Sequence, residues 1–273
     1  MPELPEVETV ARHIRPDLEG RRIESVTVRW RRTLGDLTPK QYRDRVVGAT
    51  IERVGRRAKY LVFDLGSRGS LVGHLRMTGR MEVGTEPGAY AVVTFDLDDG
   101  RPWHFFDVRK FGRLVWAEKP EDAFPPLGPE PLGDTFTADW FRAALKRRRR
   151  QLKPLLLDQS FLAGLGNIYV DESLFLAGLH PLRAAHTLRK PAADRLHGAI
   201  RDVLAAAVEH EGSTFDAFYR TPEGQPGSYQ HKFRVYGRTG KPCRTCGATI
   251  RRLVVGQRGT HVCPRCQRAP RIR

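Results

Sequence analysis

The sequence predicts an α+β protein with an N-terminal β-sandwich, a helical C-terminal domain and a small cysteine-rich module at its end. Three observations predict this fold class. Residues 23–116 hold short β-rich runs separated by turns, residues 196–211 carry one apolar stripe at helical spacing, and all four cysteines lie in the last 31 residues. A chain of 273 residues with 40% hydrophobic side chains is long enough for two domains with separate cores.

The N-terminal part is predicted to open with Met-Pro-Glu-Leu-Pro-Glu, to form a helix that ends near residue 16 and to continue with strands. Runs such as residues 25–30, 60–65 and 91–97 are rich in β-branched and aromatic side chains and are bounded by turn residues. A series of this kind favours a β-sandwich or a barrel. The helix is indicated by four apolar residues at helical spacing, which are Val7, Val10, Ala11 and Ile14.

The domain boundary is predicted at residues 118–133, which contain five prolines and two glycines. Such a segment propagates neither a helix nor a strand ladder, so we treat it as a linker. We expect an N-terminal domain over residues 1–117, a helical domain over residues 134–234 and a small module over residues 235–273. Two glycines and two prolines within residues 221–230 predict a mobile loop near the end of the helical domain.

The charge balance points to a polyanionic partner. The formal net charge is +16 and the isoelectric point is near 10.3, which favours nucleic acid ahead of an anionic membrane surface. A cation-rich proteome is the alternative explanation. No stretch approaches the roughly 18 apolar residues of a membrane span, and the N-terminus lacks the charged and apolar parts of a signal peptide, so we expect a cytoplasmic protein.

The four cysteines have the spacing of a zinc site. Cys243 and Cys246 form one C-x2-C pair, Cys263 and Cys266 form another, and 16 residues separate the pairs. Four thiolates complete a tetrahedral site and leave no open position, so we expect one structural Zn²⁺ ion. Iron–sulfur or redox use is the alternative. His261 is interpreted as a surface histidine and not as a fifth ligand.

The cysteine module is suited to lie against phosphates. Residues 236–273 contain ten Lys or Arg and no acidic residue. Arg258 lies between the two cysteine pairs, and its flanking glycines predict the tip of a hairpin. From the residues alone, Arg258 is either a groove-contacting side chain or a solvated one.

The start of the chain holds a candidate nucleophile. Removal of Met1 would expose the secondary amine of Pro2, and α-amino groups have a pKa of roughly 8 against about 10.4 for lysine, so part of the amine is neutral at pH 7. Glu3 and Glu6 offer two carboxylates for proton transfer. The alternative is an ordinary helix N-terminus, with a proline in the first turn and acids that favour the helix dipole.

The string Pro2-Glu-Leu-Pro-Glu-Val-Glu-Thr9 resembles the N-terminus of the formamidopyrimidine-DNA glycosylases, the bacterial 8-oxoguanine repair enzymes. The resemblance covers essentially the whole chain and implies a β-sandwich, a helix-two-turns-helix element and a C-terminal zinc finger. Further motifs of the family follow in its order, namely Arg56-Arg-Ala-Lys-Tyr60, His74-Leu-Arg-Met-Thr-Gly79, Asp107-Val-Arg-Lys-Phe-Gly112, Leu127-Gly-Pro-Glu-Pro-Leu132, Gly164-Leu-Gly-Asn-Ile-Tyr-Val-Asp-Glu-Ser173 and the cysteines.

The resemblance implies a bifunctional DNA glycosylase and AP lyase. It would remove oxidised purines, such as 8-oxoguanine and formamidopyrimidines, from duplex DNA through a Schiff base on Pro2, followed by β,δ-elimination. Glu3 would act as acid or base at the sugar, and Glu6 would help to order the site. Lys59 would hold a phosphate and assist proton transfer, and Arg258 is counted with both the catalytic and the DNA-binding residues.

The resemblance also implies a DNA-binding set. Extrusion of the damaged base leaves a gap in the stack, and Met77, Arg109 and Phe111 match the family's wedge that fills it. Two departures stand beside this wedge. Arg76 replaces the usual glycine, and Val108 stands where the common Asp-Pro-Arg-Arg motif has its proline.

Phosphate contacts are expected on the C-terminal half. We assign Asn167 to a phosphate together with Lys153 and Arg258, and Arg148 within the basic tract 146–150 as a further contact. The loop over residues 221–230 lies where the family has a lid over the extruded base.

The expected partner is duplex DNA with an oxidised base or an abasic site, bound by a monomer associated with the nucleoid. Two alternatives stay open. One is an endonuclease VIII-like glycosylase for oxidised pyrimidines, against which Leu4 argues, because that branch typically has Gly there. The other is a non-enzymatic DNA-damage-binding protein, against which the intact set of Pro2, Glu3 and Lys59 argues.

Overall fold

The computed structural model describes residues 1–214 and 219–270, and the chain divides into two compact units. The first unit contains Met1–Pro125 and His210–Ser228, and the second contains Pro126–Glu209 and Tyr229–Arg273. The change of unit at residue 125 falls inside the predicted linker. The first unit also includes residues 210–228, which the sequence assigned to the helical domain. Parts of the predicted helical domain and module, residues 215–218 and 271–273, lie outside the described residues.

The first unit is built mainly from strands. Two four-stranded antiparallel sheets have the orders β1-β6-β7-β5 and β2-β3-β4-β8. The helices and strands of the first unit are α1 (Leu4–Leu18), β1 (Ile23–Val28), α2 (Pro39–Val46), β2 (Arg53–Arg57), β3 (Tyr60–Asp64), β4 (Ser70–His74), β5 (Gly79–Val83), β6 (Ala91–Leu97), β7 (Pro102–Asp107) and β8 (Arg113–Ala117).

The core of the first unit lies between its sheets. Trp103 of β7 packs on Phe63 of β3 with ring centroids 4.7 Å apart, and it stacks on Phe95 of β6 at 4.5 Å. Residues of both sheets and of α1 belong to the same buried cluster. The predicted β-sandwich is therefore confirmed.

Helix α1 covers the core of the first unit with the apolar stripe found in the sequence. Val7, Val10, Ala11 and Ile14 are all buried. The helix begins at Leu4, because Glu3 closes a capping box with Glu6. It continues to Leu18, beyond the predicted end.

The second unit contains four α-helices and one hairpin among its described residues. Helix α6 begins at Lys190 instead of residue 196, because Pro191 is tolerated in a first turn and Ala193 extends the apolar stripe. The elements of the second unit are α3 (Ala138–Lys146), α4 (Leu152–Leu156), α5 (Asn167–Leu176), α6 (Lys190–Glu209), β9 (Arg251–Val255) and β10 (Arg258–Val262).

Within the part of the chain that the structure describes, no helix is long and apolar enough to cross a bilayer.

Candidate active site and nucleic-acid interface

The N-terminus of α1 brings the first candidate residues together. Pro2, Glu3 and Glu6 are all buried. The backbone N–H of Glu3 donates to Oε2 of Glu6 at 2.8 Å, and Oε1 of Glu6 accepts from the backbone N–H of Ser213 at 2.8 Å and from its hydroxyl. The Glu6 carboxylate therefore connects the start of α1 to the segment that follows α6.

Gly212 makes this connection possible. Its φ is +75°, and a Cβ at this position would lie 2.8 Å from the Glu6 side chain. Only glycine combines the left-handed conformation with so close an approach. We therefore interpret Gly212, which lies three residues after the end of α6, as a requirement of the site.

The segment on both sides of Gly212 has a second connection to α1, through His13. His13 places Nε2 at 3.0 Å from a carboxylate oxygen of Glu211 and Nδ1 at 2.5 Å from one of Glu223. The two ends of the loop also meet through an isolated bridge between Ser213 and Ser228. Two residues of the predicted lid are thus attached to neighbouring segments, Glu223 to His13 on α1 and Ser228 to Ser213.

Lys59 lies in the two-residue turn between β2 and β3, and its side chain is buried. Arg56 holds this turn, because its guanidinium donates to the carbonyl of Ala58 at 2.9 Å and to Oε2 of Glu8 on α1 at 3.0 Å. Burial tends to raise the pKa of Glu8, but hydrogen bonds from Arg56 and Arg12 outweigh it and lower that pKa. Arg56 and Glu8 thus fix the Lys59 turn to α1.

The wedge candidates lie on two neighbouring turns. Met77 is half-buried between β4 and β5, whereas Arg109 and Phe111 are exposed between β7 and β8. Phe111 is 51% exposed, which is unusual for a large aromatic ring. The Arg109 guanidinium lies 4.8 Å from the centre of this ring.

Asp107 holds the two wedge turns together, a role that sequence reasoning missed. Its buried carboxylate accepts from the Thr78 hydroxyl, from the backbone N–H of Arg109 at 3.1 Å and from that of Gly112 at 2.6 Å. The available signal was an acidic residue at the end of an apolar strand. Such a residue is buried only when it has donors to satisfy it.

His74 stands at the end of β4 beside the first wedge turn. Burial, with help from the charges of Arg76 and Lys59, lowers the pKa of His74 to about 3. The ring is therefore neutral at pH 7, and its Nδ1 accepts a hydrogen bond from the backbone N–H of Arg76 at 3.0 Å. It packs edge-on against Tyr60, with ring centroids 4.7 Å apart.

In the second unit, the predicted glycine turn leads directly into α5. Gly164 has a φ of +86°, and its N–H donates to the side-chain oxygen of Gln159 at 2.9 Å. Asn167 is the first residue of α5, and its amide donates to the carbonyl of Gly259 on β10 at 3.0 Å. Asn167 therefore connects the turn to the hairpin that carries Arg258.

Lys153 occupies a different environment from the one expected for a phosphate contact. Its side chain is 0% exposed, and its ammonium group lies 2.6 Å from Oδ1 of Asp171 and 3.1 Å from the carbonyl of Gly259. A direct phosphate contact would require this buried ion pair to open. In this structure Lys153 supports the hairpin, and its contact with a phosphate stays a prediction.

Asp171 is the centre of this support. Its carboxylate pairs with the Lys153 ammonium group and accepts a hydrogen bond from the backbone N–H of His261 at 2.9 Å. The same carboxylate lies 3.2 Å from Nδ1 of the His261 ring. His261 is therefore a partly buried partner of Asp171, which corrects its interpretation as a surface histidine. The adjacent Glu172 accepts three backbone N–H groups of residues 234–236, and burial raises the pKa of Glu172 despite these bonds.

Arg258 and Arg148 are exposed, as phosphate contacts require. Arg258 follows the two-residue turn Gly256-Gln257 of the β9–β10 hairpin, and Arg148 lies in the exposed basic tract 146–150 after α3. Arg150 of this tract pairs with Asp158. The hairpin tip lies close to α4. A Cβ on Gly256 would be only 3.1 Å from the Pro154 side chain.

Loss of the Asp171 carboxylate should destabilise the second unit strongly. In an Asp171→Asn variant, the Lys153 ammonium group would stay buried without its counter-ion, which costs about 3 kcal/mol or more of unfolding free energy. Chemical denaturation measures this change. The matched control is Asp44→Asn, which breaks the exposed pair between Lys40 and Asp44 and should cost less than about 1 kcal/mol. Equal effects of the two substitutions would contradict the central role of Asp171.

The four cysteines form a metal centre. Their sulfur atoms all lie within 4.8 Å of one another, with 4.0 Å between Cys243 and Cys266 and 3.4 Å between Cys246 and Cys263. A tetrahedral zinc ion with bonds of about 2.3 Å places its sulfur ligands about 3.8 Å apart, so the set fits one Zn²⁺ ion. His261 is engaged with Asp171 and not with the cluster.

Comparisons with known proteins agree with this architecture along the chain. Residues 1–114 match the formamidopyrimidine-DNA glycosylase N-terminal domain, and residues 127–218 match the H2TH domain of the same enzymes. Residues 240–269 match the zinc finger found in FPG and IleRS. These matches confirm the predicted helix-two-turns-helix region and the zinc finger.

Relatives that match this chain over nearly its whole length are named formamidopyrimidine-DNA glycosylase. The formamidopyrimidine-DNA glycosylase of Herpetosiphon aurantiacus is 45% identical over 98% of this chain and all of the relative. The crystal structure of MutM (Fpg) from Thermus thermophilus matches with a TM-score of 0.88 and 44% identity over 97% of this chain and 98% of that one. The Lactococcus lactis enzyme bound to Fapy-dG-containing DNA matches with a TM-score of 0.88 and 35% identity over 98% of this chain and all of that one. The chain belongs to the formamidopyrimidine-DNA glycosylase family.

Proposed function

We propose that this DNA glycosylase of base excision repair removes oxidised purines from duplex DNA and then cleaves the strand, with the amine of Pro2 as its nucleophile. The observation that carries the proposal is the arrangement at the start of α1. Pro2 lies between the exposed Met1 and the N-cap of α1, and two carboxylates next to it, those of Glu3 and Glu6, are buried. The Lactococcus lactis relatives were crystallised with DNA containing Fapy-dG or an abasic site, which supports this class of substrate.

The proposed chemistry begins after removal of Met1. The nitrogen lone pair of Pro2 attacks C1′ of the damaged nucleotide, and the bond from C1′ to the base breaks with its electrons leaving on the base. Glu3 exchanges protons at the sugar as the ring opens to an iminium. Loss of a C2′ proton then breaks the bond to the 3′ phosphate, and a second elimination releases the 5′ phosphate.

The remaining residues of the first unit would position the substrate. Lys59 holds a phosphate and assists the proton transfers of the elimination, and Glu6 keeps the first turn of α1 in place. Met77, Arg109 and Phe111 fill the gap left by the extruded base. Attachment of Glu223 to His13 on α1 supports the assignment of residues 221–230 to a lid over this base.

The second unit would supply contacts to the DNA backbone. Arg148 and Arg258 are exposed cations suited to phosphates, and Asn167 acts at the start of α5. Lys153 supports the hairpin, and it would contact a phosphate if its ion pair with Asp171 opened on DNA binding. The zinc ion keeps the hairpin folded and takes no part in the reaction. A chain with these contacts would work on the nucleoid as a monomer.

Borohydride trapping tests the nucleophile. A Pro2→Gly variant should lose most of the covalent complex that borohydride traps on DNA with a defined oxidised purine, because the secondary amine of the proline ring is gone. Binding to undamaged duplex should stay unchanged. Loss of this binding, or a cross-link that maps to a lysine in the wild-type enzyme, would contradict the proposal.

The same assay separates the two glycosylase classes. Duplexes with a single 8-oxoguanine should be processed faster than duplexes with a single thymine glycol. The opposite order would favour an endonuclease VIII-like enzyme, and excision of neither lesion would favour a DNA-damage-binding protein.

A further inference from the structure

His13 on α1 lies between two carboxylates that come from distant parts of the chain. Its Nε2 is 3.0 Å from Oε1 of Glu211, which follows α6, and its Nδ1 is 2.5 Å from Oε2 of Glu223, in the loop that we assign to the lid. These partners are 198 and 210 positions away from His13, so only the fold brings the three together. We call these three residues the His13 cluster.

Both contacts of the His13 ring are hydrogen bonds at the same time only when the ring is protonated. A neutral imidazole has one N–H group, and ionised carboxylates only accept, so a neutral ring donates to one glutamate alone. An imidazolium has two N–H groups and carries a positive charge between the two negative ones. The His13 cluster is therefore complete only while the ring carries its second proton.

The neighbouring ionisable groups are engaged elsewhere or uncharged. Asp17, one turn further along α1, accepts from the Arg101 guanidinium at 2.5 Å. Tyr219 donates its hydroxyl to the backbone carbonyl of Glu211 at 3.0 Å. Burial above all, together with nearby carboxylates, raises the pKa of Tyr219, so its hydroxyl stays neutral at pH 7. The charge balance of the cluster thus depends on His13 and its two glutamates.

Glu211 has a backbone conformation that favours glycine. Its φ is +55°, and a glutamate in this left-handed region carries a conformational cost. The loop folds back tightly over the same position, because a Cβ on Gly227 would lie 2.6 Å from the carbonyl oxygen of Glu211. The contact with His13 gives this strained residue a role that glycine could not fill.

Glu223 lies within a closed turn of the lid. The backbone N–H of Thr221 donates to the carbonyl of Gln225 at 2.8 Å, and that of Gly224 donates to the carbonyl of Thr221 at 2.8 Å. Thr221 is buried, whereas the Glu223 side chain is 54% exposed. Because the turn is closed on itself, a contact that holds Glu223 holds the whole turn.

We propose that His13 is a positioning residue that attaches the lid to α1, as an imidazolium between Glu211 and Glu223, and thereby supports excision of the damaged base. The inference rests on the proposed function, because it takes residues 221–230 as the lid over the extruded base. An abasic site has no such base, so its cleavage does not need the attached lid.

The proposal implies that the lid responds to pH. Loss of the ring proton removes one of the two donors and the positive charge. The carboxylates of Glu211 and Glu223 then repel each other across a neutral ring. The lid is therefore attached at low pH and released as the pH rises through the range in which histidine side chains titrate.

A comparison of two substrates tests the role of His13. Single-turnover rates are measured for excision of 8-oxoguanine and for strand cleavage at a preformed abasic site. In a His13→Ala variant, excision should slow about three- to tenfold, the effect of losing two partly exposed charged contacts. Abasic-site cleavage should stay unchanged.

The matched control is His186→Ala, which removes an exposed histidine of the second unit and should leave both rates unchanged. Equal slowing of the two reactions in His13→Ala would overturn the proposal, because it would show a general loss of activity. Excision at the wild-type rate would overturn it as well.

The pH dependence provides the second measurement. In the wild type, the ratio of excision to abasic-site cleavage should fall as the pH rises from about 5 to about 8. Taking the ratio cancels the titration of the Pro2 amine, which both reactions use. In His13→Gln, whose amide donates but does not titrate, the ratio should stay constant over this range. A wild-type ratio that is equally constant would contradict the protonated state of the cluster.

Failure of this inference is distinguishable from failure of the proposed function. Limited trypsin digestion of the DNA-free protein follows cleavage after Arg220, an exposed residue beside the closed turn, and needs no chemistry on DNA. His13→Ala should be cut there faster than the wild type and His186→Ala. If it is, and the wild type excises no oxidised purine, the attachment stands and the proposed function is wrong. If the wild type excises 8-oxoguanine and His13→Ala equals it in excision and digestion, only the inference about His13 is wrong.

Discussion

A Glu3→Gln variant is expected to excise an oxidised purine about 10²–10⁴ times more slowly than the wild type under single-turnover conditions, the usual range for loss of a general acid or base. The physical reason is that glutamine has nearly the shape of glutamate but neither accepts nor releases a proton at neutral pH. Glu3 is buried at the start of α1, where a retained shape preserves the local packing.

Binding separates this chemical role from a structural one. Glu3 also takes part in the capping box of α1, so its loss could loosen the helix. Glutamine still accepts a hydrogen bond from the backbone N–H of Glu6, and we expect unchanged affinity for an abasic-site analogue and an unchanged melting temperature. The control is Glu24→Gln on the exposed surface of β1, which should excise at the wild-type rate. A Glu3→Gln enzyme with full activity would contradict the assignment.

Removal of zinc is expected to abolish tight DNA binding. Chelation, or a Cys263→Ser substitution, should release one zinc ion per chain and unfold the C-terminal module. The reason is the size of its core, since only five buried residues belong to the cluster at the metal centre among the described residues. A structural zinc site supplies on the order of 10 kcal/mol, more than so small a core provides.

Unfolding of the module would release Arg258 from its hairpin and remove the partners of Asn167 and Lys153 on Gly259. Filter binding and metal analysis on the same sample measure both effects. The control is Thr245→Ala, an exposed position between two ligands, which should keep the metal. Tight and salt-sensitive DNA binding by the zinc-free protein would show that the module is dispensable.

The features that the sequence predicted well are those that depend on local spacing. The apolar stripe of α1, the strands β3 and β6, and the stripe of α6 follow from periods of 3.6 or 2 residues, which neighbouring residues alone establish. The cysteine pairs are a similar case, because their spacing suffices to place four sulfur atoms around one ion. The element ends were less certain, since capping at Glu3 and tolerance of Pro191 decide them.

The features that the sequence predicted poorly are those that depend on burial. Lys153 reads as one more cation in a basic chain, and only the packed structure shows that Asp171 neutralises it. Asp107 reads as a polar residue at a strand end, although it holds both wedge turns. Arg76 is one residue of a motif in the sequence, and only the structure shows that its backbone is in the left-handed conformation.

The sequence by itself determined the family, the strand and helix pattern, the zinc ligands and the identity of the residues at the start of the chain. The tertiary structure alone decided which charges face solvent and which are neutralised inside, and how Glu6 reaches Ser213 across more than 200 residues of chain. The physical reason is that periodicity and ligand spacing are properties of neighbouring residues. Burial and ion pairing are properties of groups that only folding brings together.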